Sequence, residues 1–146
     1  AEGLAVGLAC GLKNSGIGNG VEEWGRARLV VERDATVSVY NGYTEMGQGL
    51  STVLVQIARE VTGLSAEVFV PRTDTRYALA CGQTTGSRAT IHGGNAVLAA
   101  ARELRAELDR GEALATLAGK EFSGEVAVRD TDAIDAAKPD PKTHTA

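Results

Sequence analysis

The chain has 146 residues, a formal net charge of −4 and 43% apolar residues, which fits a single domain able to bury roughly 70% of its unfolded surface. Aromatics make up 4% and glycines number 18, so the core is expected to be aliphatic and closely packed. An acidic balance without a Lys/Arg cluster argues against nucleic acid or an anionic membrane as the main partner, and the lack of a signal peptide or of an apolar run near about 18 residues points to a cytoplasmic protein.

The alternation of Leu4, Val6, Leu8, Cys10 and Leu12 with Ala or Gly has period two and predicts a strand over residues 4–12. Residues 13–25, rich in Gly and Asn and holding Trp24, read as a long loop. A hairpin is expected next: Ala27, Leu29 and Val31 share one face of residues 26–33, and Val37 and Val39 share one face of residues 36–40. The connecting Asp34-Ala35 lacks the glycine favoured by a type I′ turn. Leu50, Val53, Leu54, Ile57, Ala58 and Val61 fall at helical spacing, with Ser51 or Thr52 as the expected cap and Gly63 as the stop.

Residues 66–70 are expected as a short strand ended by Pro71, followed by a helix over 92–110 with Ala96, Val97, Ala100, Leu104 and Leu108 inward. The charged residues of 102–110 fit an exposed helix face with i,i+4 pairs. Past Gly111 the pattern weakens to a short helix over 112–118 and a strand over 125–129, and the proline-bearing end reads as an unpacked tail. Strands first, then helix, strand and helix, predict an α+β fold, a two-layer sandwich of helices on a mixed β-sheet.

Two glycine-punctuated polar stretches, Gly42-Tyr43-Thr44-Glu45-Met46-Gly47-Gln48-Gly49 and Gly82-Gln83-Thr84-Thr85-Gly86-Ser87-Arg88-Ala89-Thr90, each lead from a strand into a helix. There backbone N–H groups are free to face an anion or a polar cofactor edge. Gln48, between Gly47 and Gly49, both donates and accepts but cannot act as base or nucleophile. The alternative is a turn whose glycines only relieve strain. Thr84, Thr85, Ser87 and Thr90, with Arg88 among them and Gly86 allowing close approach, suit a phosphate or pyrophosphate cradle. The alternative there is a polar loop bonded to its own backbone.

The remaining chemistry-bearing residues favour plain structural roles. Glu45 is expected as a hydrogen-bonding loop residue rather than a general base. His92 is expected to cap a helix start or satisfy a backbone carbonyl rather than ligate metal, since no second His or Cys stands at ligand spacing. Cys10 and Cys81 lack the spacing of a metal site or redox pair and are expected as buried core thiols.

Taken in order, the two stretches, together with Gln56-Ile57-Ala58-Arg59-Glu60, Asp74-Thr75 and Gly94-Asn95-Ala96, resemble the xanthine dehydrogenase/aldehyde oxidase family, and within it the molybdopterin-binding large subunit. The opening Gly3-Leu4-Ala5 and Gly16-Ile17-Gly18 are similar to the strand and loop that precede this pattern in many bacterial members. The resemblance implies a molybdenum held by the dithiolene of a pterin, oxidative hydroxylation of a heterocycle or aldehyde, and electrons leaving through iron–sulfur and flavin components.

It also implies molybdopterin as cofactor, the cytosine dinucleotide form included, in contact with Gly47, Gln48, Gly49, Thr85, Gly86, Ser87, Arg88 and Thr90. No catalytic residue is assigned, because the family's active-site glutamate and its Gly-Gly-Phe-Gly-Gly segment have no counterpart in this sequence; Gly86 stands where many members carry alanine. Residues 1–137 are therefore expected as a partial molybdopterin-binding domain and 138–146 as a tail or truncated linker. The chain alone is expected to be inactive without the remaining segments of the hydroxylase. The alternative is a folded scaffold that binds no cofactor.

Overall fold

The computed structural model describes residues 3, 5–11, 13, 15–18 and 20–129. Alternating side chains build the central strand, β1 (Glu23–Val31), whose odd-numbered residues are all buried. Ala27, Leu29 and Val31 on that face are at most 1% exposed. β2 (Val37–Asn41) pairs with it antiparallel, Val31 opposite Val37 and Ala27 opposite Asn41. In the connecting turn Ala35 has φ 62° while Asp34 does not have positive φ, so the turn is not type I′, as expected. The Asp34 carboxylate accepts from the Thr36 amide and hydroxyl at 3.1 and 2.7 Å.

Helix α1 (Leu50–Thr62) buries Leu50, Leu54, Ala58 and Thr62, a stripe at four-residue spacing. Gly63 closes it in the left-handed region, its N–H donating to the Arg59 carbonyl. A 3₁₀ turn (Ala66–Val68) leads to β3 (Phe69–Pro71), parallel to β2. Helix α2 (Gly94–Asp109) turns Ala96, Val97, Ala100, Ala101 and Leu104 inward, and β4 (Glu121–Val128) returns antiparallel to β1.

The sheet order is β3-β2-β1-β4, and the two helices cover one face of this mixed sheet, giving the expected two-layer α+β sandwich. Contact is closest at Gly124, where a Cβ would stand 1.8 Å from the Ala96 carbonyl oxygen. The opposite face buries Val30 and Tyr40 and carries the ion pairs Arg26–Glu125 at 2.7 Å and Arg28–Glu121 at 2.6 Å. On α2 the expected pairing is present as Arg105–Asp109 at 2.6 Å. No helix among the described residues is long and apolar enough to cross a membrane.

Several boundaries differ from expectation. Residues 5–11 form no strand; Val6 and Leu8 are 87% and 93% exposed, and Cys10 is exposed while Cys81 is buried. A period-two pattern supplies a face but not a partner, and no described strand pairs with this segment. Leu4 and Leu12 lie outside the described residues, as does the expected tail 138–146. Trp24 and Gly25, expected in a loop, belong to β1. The strand expected over 66–70 shrinks to an edge strand, the position that tolerates Pro71. Residues 112–118 make turns instead of a helix, since a segment this short between Gly111 and Gly119 gains too little from helix propagation. Leu117 there is nevertheless fully buried.

Candidate functional site

The first glycine stretch runs from the end of β2 to the start of α1, and a carboxylate organises it. Glu45 Oε1 accepts from the Gly47 and Gly49 amides at 2.9 and 3.1 Å, and Oε2 accepts from the Ser51 amide at 2.8 Å. The helix start is thus capped by Glu45 reaching in from the loop, with Gly49 at the cap position, and not by Ser51 or Thr52. The Ser51 amide, then those of Gly49 and Gly47, hold the Glu45 carboxyl below its ordinary value. This confirms Glu45 as a hydrogen-bonding loop residue. Gln48 is exposed; its Oε1 accepts from the Met46 amide at 2.6 Å and its Nε2 donates to the Thr44 carbonyl at 3.0 Å.

The second stretch packs against the first. The Thr44 amide donates to Thr84 Oγ1 at 2.8 Å, which ties the two loops together. Gly86 and Ser87 follow with φ 56° and 60°. A left-handed serine costs on the order of 1–3 kcal/mol, a strain that concentrates at ligand clamps. The chain then enters a π-helical turn (Ala89–Gly93) that runs directly into α2.

Met46, Gln48 and residues 84–90 line one cleft of about 270 Å³. The structure therefore brings together Gln48, Thr85, Gly86, Ser87, Arg88 and Thr90. Gly47 and Gly49 flank Gln48 outside the lining, with φ 95° and 84°. Thr85, Ser87 and Thr90 are exposed, and none of their hydroxyls bonds to another described residue. A second cleft of about 280 Å³ between β2, β3 and α1 presents Glu45 and Asp74 together with Arg72.

Arg88 borders the cleft, but its guanidinium turns inward and is 2% exposed as a residue. Nη1 donates to the Gln83 carbonyl at 2.6 Å and Nη2 to that of Cys81 at 2.9 Å. Nε stands 2.5 Å from Glu23 Oε1, an ion pair without hydrogen-bond alignment. His92 Nε2 lies 3.5 Å from the same oxygen, buried and with no hydrogen-bond partner, rather than satisfying a backbone group.

Sequence reasoning missed Glu23, which lies in a stretch read as loop. Its Oε2 accepts from the amides of Ile17 and Gly18 at 3.0 and 3.3 Å. Burial alone would raise the Glu23 carboxyl; those two amides and Arg88 outweigh it and hold the group below its ordinary value. Tyr43 packs nearby, its hydroxyl donating to the Trp24 carbonyl at 2.7 Å, and burial pushes its pKa up to about 12. The only signal was the break that a carboxylate makes in the inward apolar face of β1.

Among the described residues no group of three or more His, Cys, Asp or Glu could hold a metal ion. A metal at this cleft would need to arrive with its own ligands. The free hydroxyls and strained backbone suit recognition of phosphate or heterocycle oxygens and nitrogens, and the cleft offers no base or nucleophile.

The family model of the molybdopterin cofactor-binding domain matches residues 1–139. Among curated proteins, a putative xanthine dehydrogenase molybdenum-binding subunit of Escherichia coli K12 is 38% identical over 71 residues, 49% of this chain and 9% of that protein. The xanthine dehydrogenase molybdenum-binding subunit of Escherichia coli O157:H7 matches with the same figures. This chain thus spans about a tenth of the length of these relatives. Among solved structures, aldehyde oxidoreductase from Desulfovibrio gigas superposes with a TM-score of 0.63 at 20% identity, covering 80% of this chain and 14% of that one. Reconstituted CO dehydrogenase from Oligotropha carboxidovorans gives 0.64 at 17% identity, covering 82% and 21%. These two likenesses establish the fold.

Proposed function

Because the chain belongs to the molybdopterin cofactor-binding domain family, we propose that its two glycine loops hold one molybdopterin as part of a xanthine dehydrogenase/aldehyde oxidase-type hydroxylase. The observation that carries this reading is the shared cleft of Gln48 and residues 84–90, where the hydroxyls of Thr85, Ser87 and Thr90 have no hydrogen-bond partner among the described residues. That donor set fits a pterin and its phosphate, and it does not fit a bare metal ion. When bound, the cofactor supplies the redox centre for oxidative hydroxylation of a heterocycle or aldehyde.

The residues of this chain bind and orient. Gln48 offers its amide to the pterin edge by exchanging its bonds to Met46 and Thr44, while Gly47 and Gly49 keep the approach open. Thr85, Ser87 and Thr90 would donate hydrogen bonds from their hydroxyls to phosphate oxygens, and Gly86, without a Cβ, lets Gly16 pack behind them. Arg88 contributes from behind, by holding the carbonyls of Cys81 and Gln83. The cofactor proposed here includes the cytosine dinucleotide form of molybdopterin. Iron–sulfur and flavin components are the partners that would remove the electrons, in the cytoplasm.

The test is the molybdenum and pterin content of the hydroxylase that contains this domain. Gln48→Ala is expected to lower both sharply, and full content in that variant would overturn the reading.

A further inference from the structure

We propose that Glu23 is a positioning residue for the cleft: its carboxylate clamps residues 16–18 against the back of Gly86 and so fixes the wall formed by residues 85–88. The inference rests on the cofactor reading above and deepens it. Glu23 is the exception on the inward face of β1, where Ala27, Leu29 and Val31 are apolar. An apolar residue would hold the strand in the sheet equally well, since buried charge is no general source of stability. What it could not do is accept the Ile17 and Gly18 amides, which Glu23 Oε2 does at 3.0 and 3.3 Å.

The clamped loop reaches the cleft wall directly. The Gly16 amide donates to the Gly86 carbonyl at 2.7 Å. A Cβ on Gly86 would stand 2.6 Å from the Gly16 oxygen, and a Cβ on Gly16 would stand 2.5 Å from Glu23 Oε2. There is no room for the layers to slide. The other carboxylate oxygen faces Arg88 Nε at 2.5 Å and His92 Nε2 at 3.5 Å, so one side chain grips both the loop behind the cleft and the segment that forms it. Positioning of this kind sets how well a binding group is pre-organised.

Hydrogen exchange on the full 146-residue chain tests the clamp without the cofactor. Glu23→Gln keeps the size and removes the charge. The amides of Gly16, Ile17 and Gly18 should exchange roughly tenfold or more faster than in the parent, as expected for weakening a hydrogen bond to a charged group. Leu117→Ala, a core truncation at the opposite end of β1, should not produce this local excess. Should Glu23→Gln fail to fold, Gly16→Ala places a methyl against the carboxylate and should loosen the same amides.

In the hydroxylase, Glu23→Gln should reduce molybdenum and pterin content several-fold. Loop amides that behave as in the Leu117→Ala control, or a loosened loop with full cofactor content, would overturn the proposal. Gln48→Ala run alongside separates the two claims. A depleted Gln48→Ala with a full Glu23→Gln sinks the positioning role alone, and full content in both sinks the cofactor reading as well.

Discussion

Gly42 and Leu79 meet with no space between them: a Cβ on Gly42 would stand 1.6 Å from the Leu79 carbonyl oxygen and 2.6 Å from Cys81 Sγ. Gly42 opens the first glycine stretch, and Leu79 and Cys81 lead into the second. This backbone contact is where the two halves of the cleft are set against each other. Gly42→Ala is therefore expected to destabilise by about 1–3 kcal/mol through overpacking. Urea denaturation measures it, and a loss below a few tenths of a kcal/mol would show that the segments are not pressed together.

Arg88 and Glu23 are both nearly fully buried. Removing the guanidinium alone in Arg88→Met leaves an uncompensated carboxylate and is expected to cost about 3–5 kcal/mol. Adding Glu23→Gln to that variant should recover part of the loss. A double-mutant cycle in denaturant reads the coupling, and strict additivity would contradict the pairing.

Acid should unfold the protein through Glu45 and Glu23. Both carboxyls are held below the ordinary value of 4.5 in the folded state. The unfolded chain then takes up protons first, so their contribution is present above about pH 4.5 and fades as pH falls through the folded pKa values. Thermal midpoints measured from neutral pH downward should drop across that window. Glu45→Gln should flatten the drop, and an unchanged acid slope would contradict the capping role.

The core and the segment ahead of β1 should respond oppositely. Leu104, fully buried in α2, should cost about 2–5 kcal/mol on truncation to alanine. Val6→Ser and Leu8→Ser, at positions 87% and 93% exposed, should stay within about 0.5 kcal/mol. A large effect at Val6 or Leu8 would mean that this segment packs.

Much of this architecture was legible in the residues. The inward aliphatic faces of β1, α1 and α2 follow from period two and helical spacing, and the first glycine stretch does carry the chain from β2 to α1, whereas the second enters its helix from the irregular segment 72–81 rather than from a strand. What escaped was contact between distant parts of the chain. Glu23 acquires its meaning from Ile17, Gly18, Arg88 and His92, which only the fold brings together. Glu45 caps α1 from outside the helix, where rules for the cap residue itself do not look. Arg88, expected among the cradle groups by its neighbours, is claimed by the buried carboxylate. The alternation over residues 5–11 described a face without naming a partner strand.

The most direct measurement is the structure of the cofactor-loaded hydroxylase containing this domain. Molybdopterin within hydrogen-bond distance of both the Gln48 amide and the hydroxyls of Ser87 or Thr90 is the predicted result. A cofactor bound elsewhere, touching neither the 47–49 loop nor residues 85–90, would contradict it.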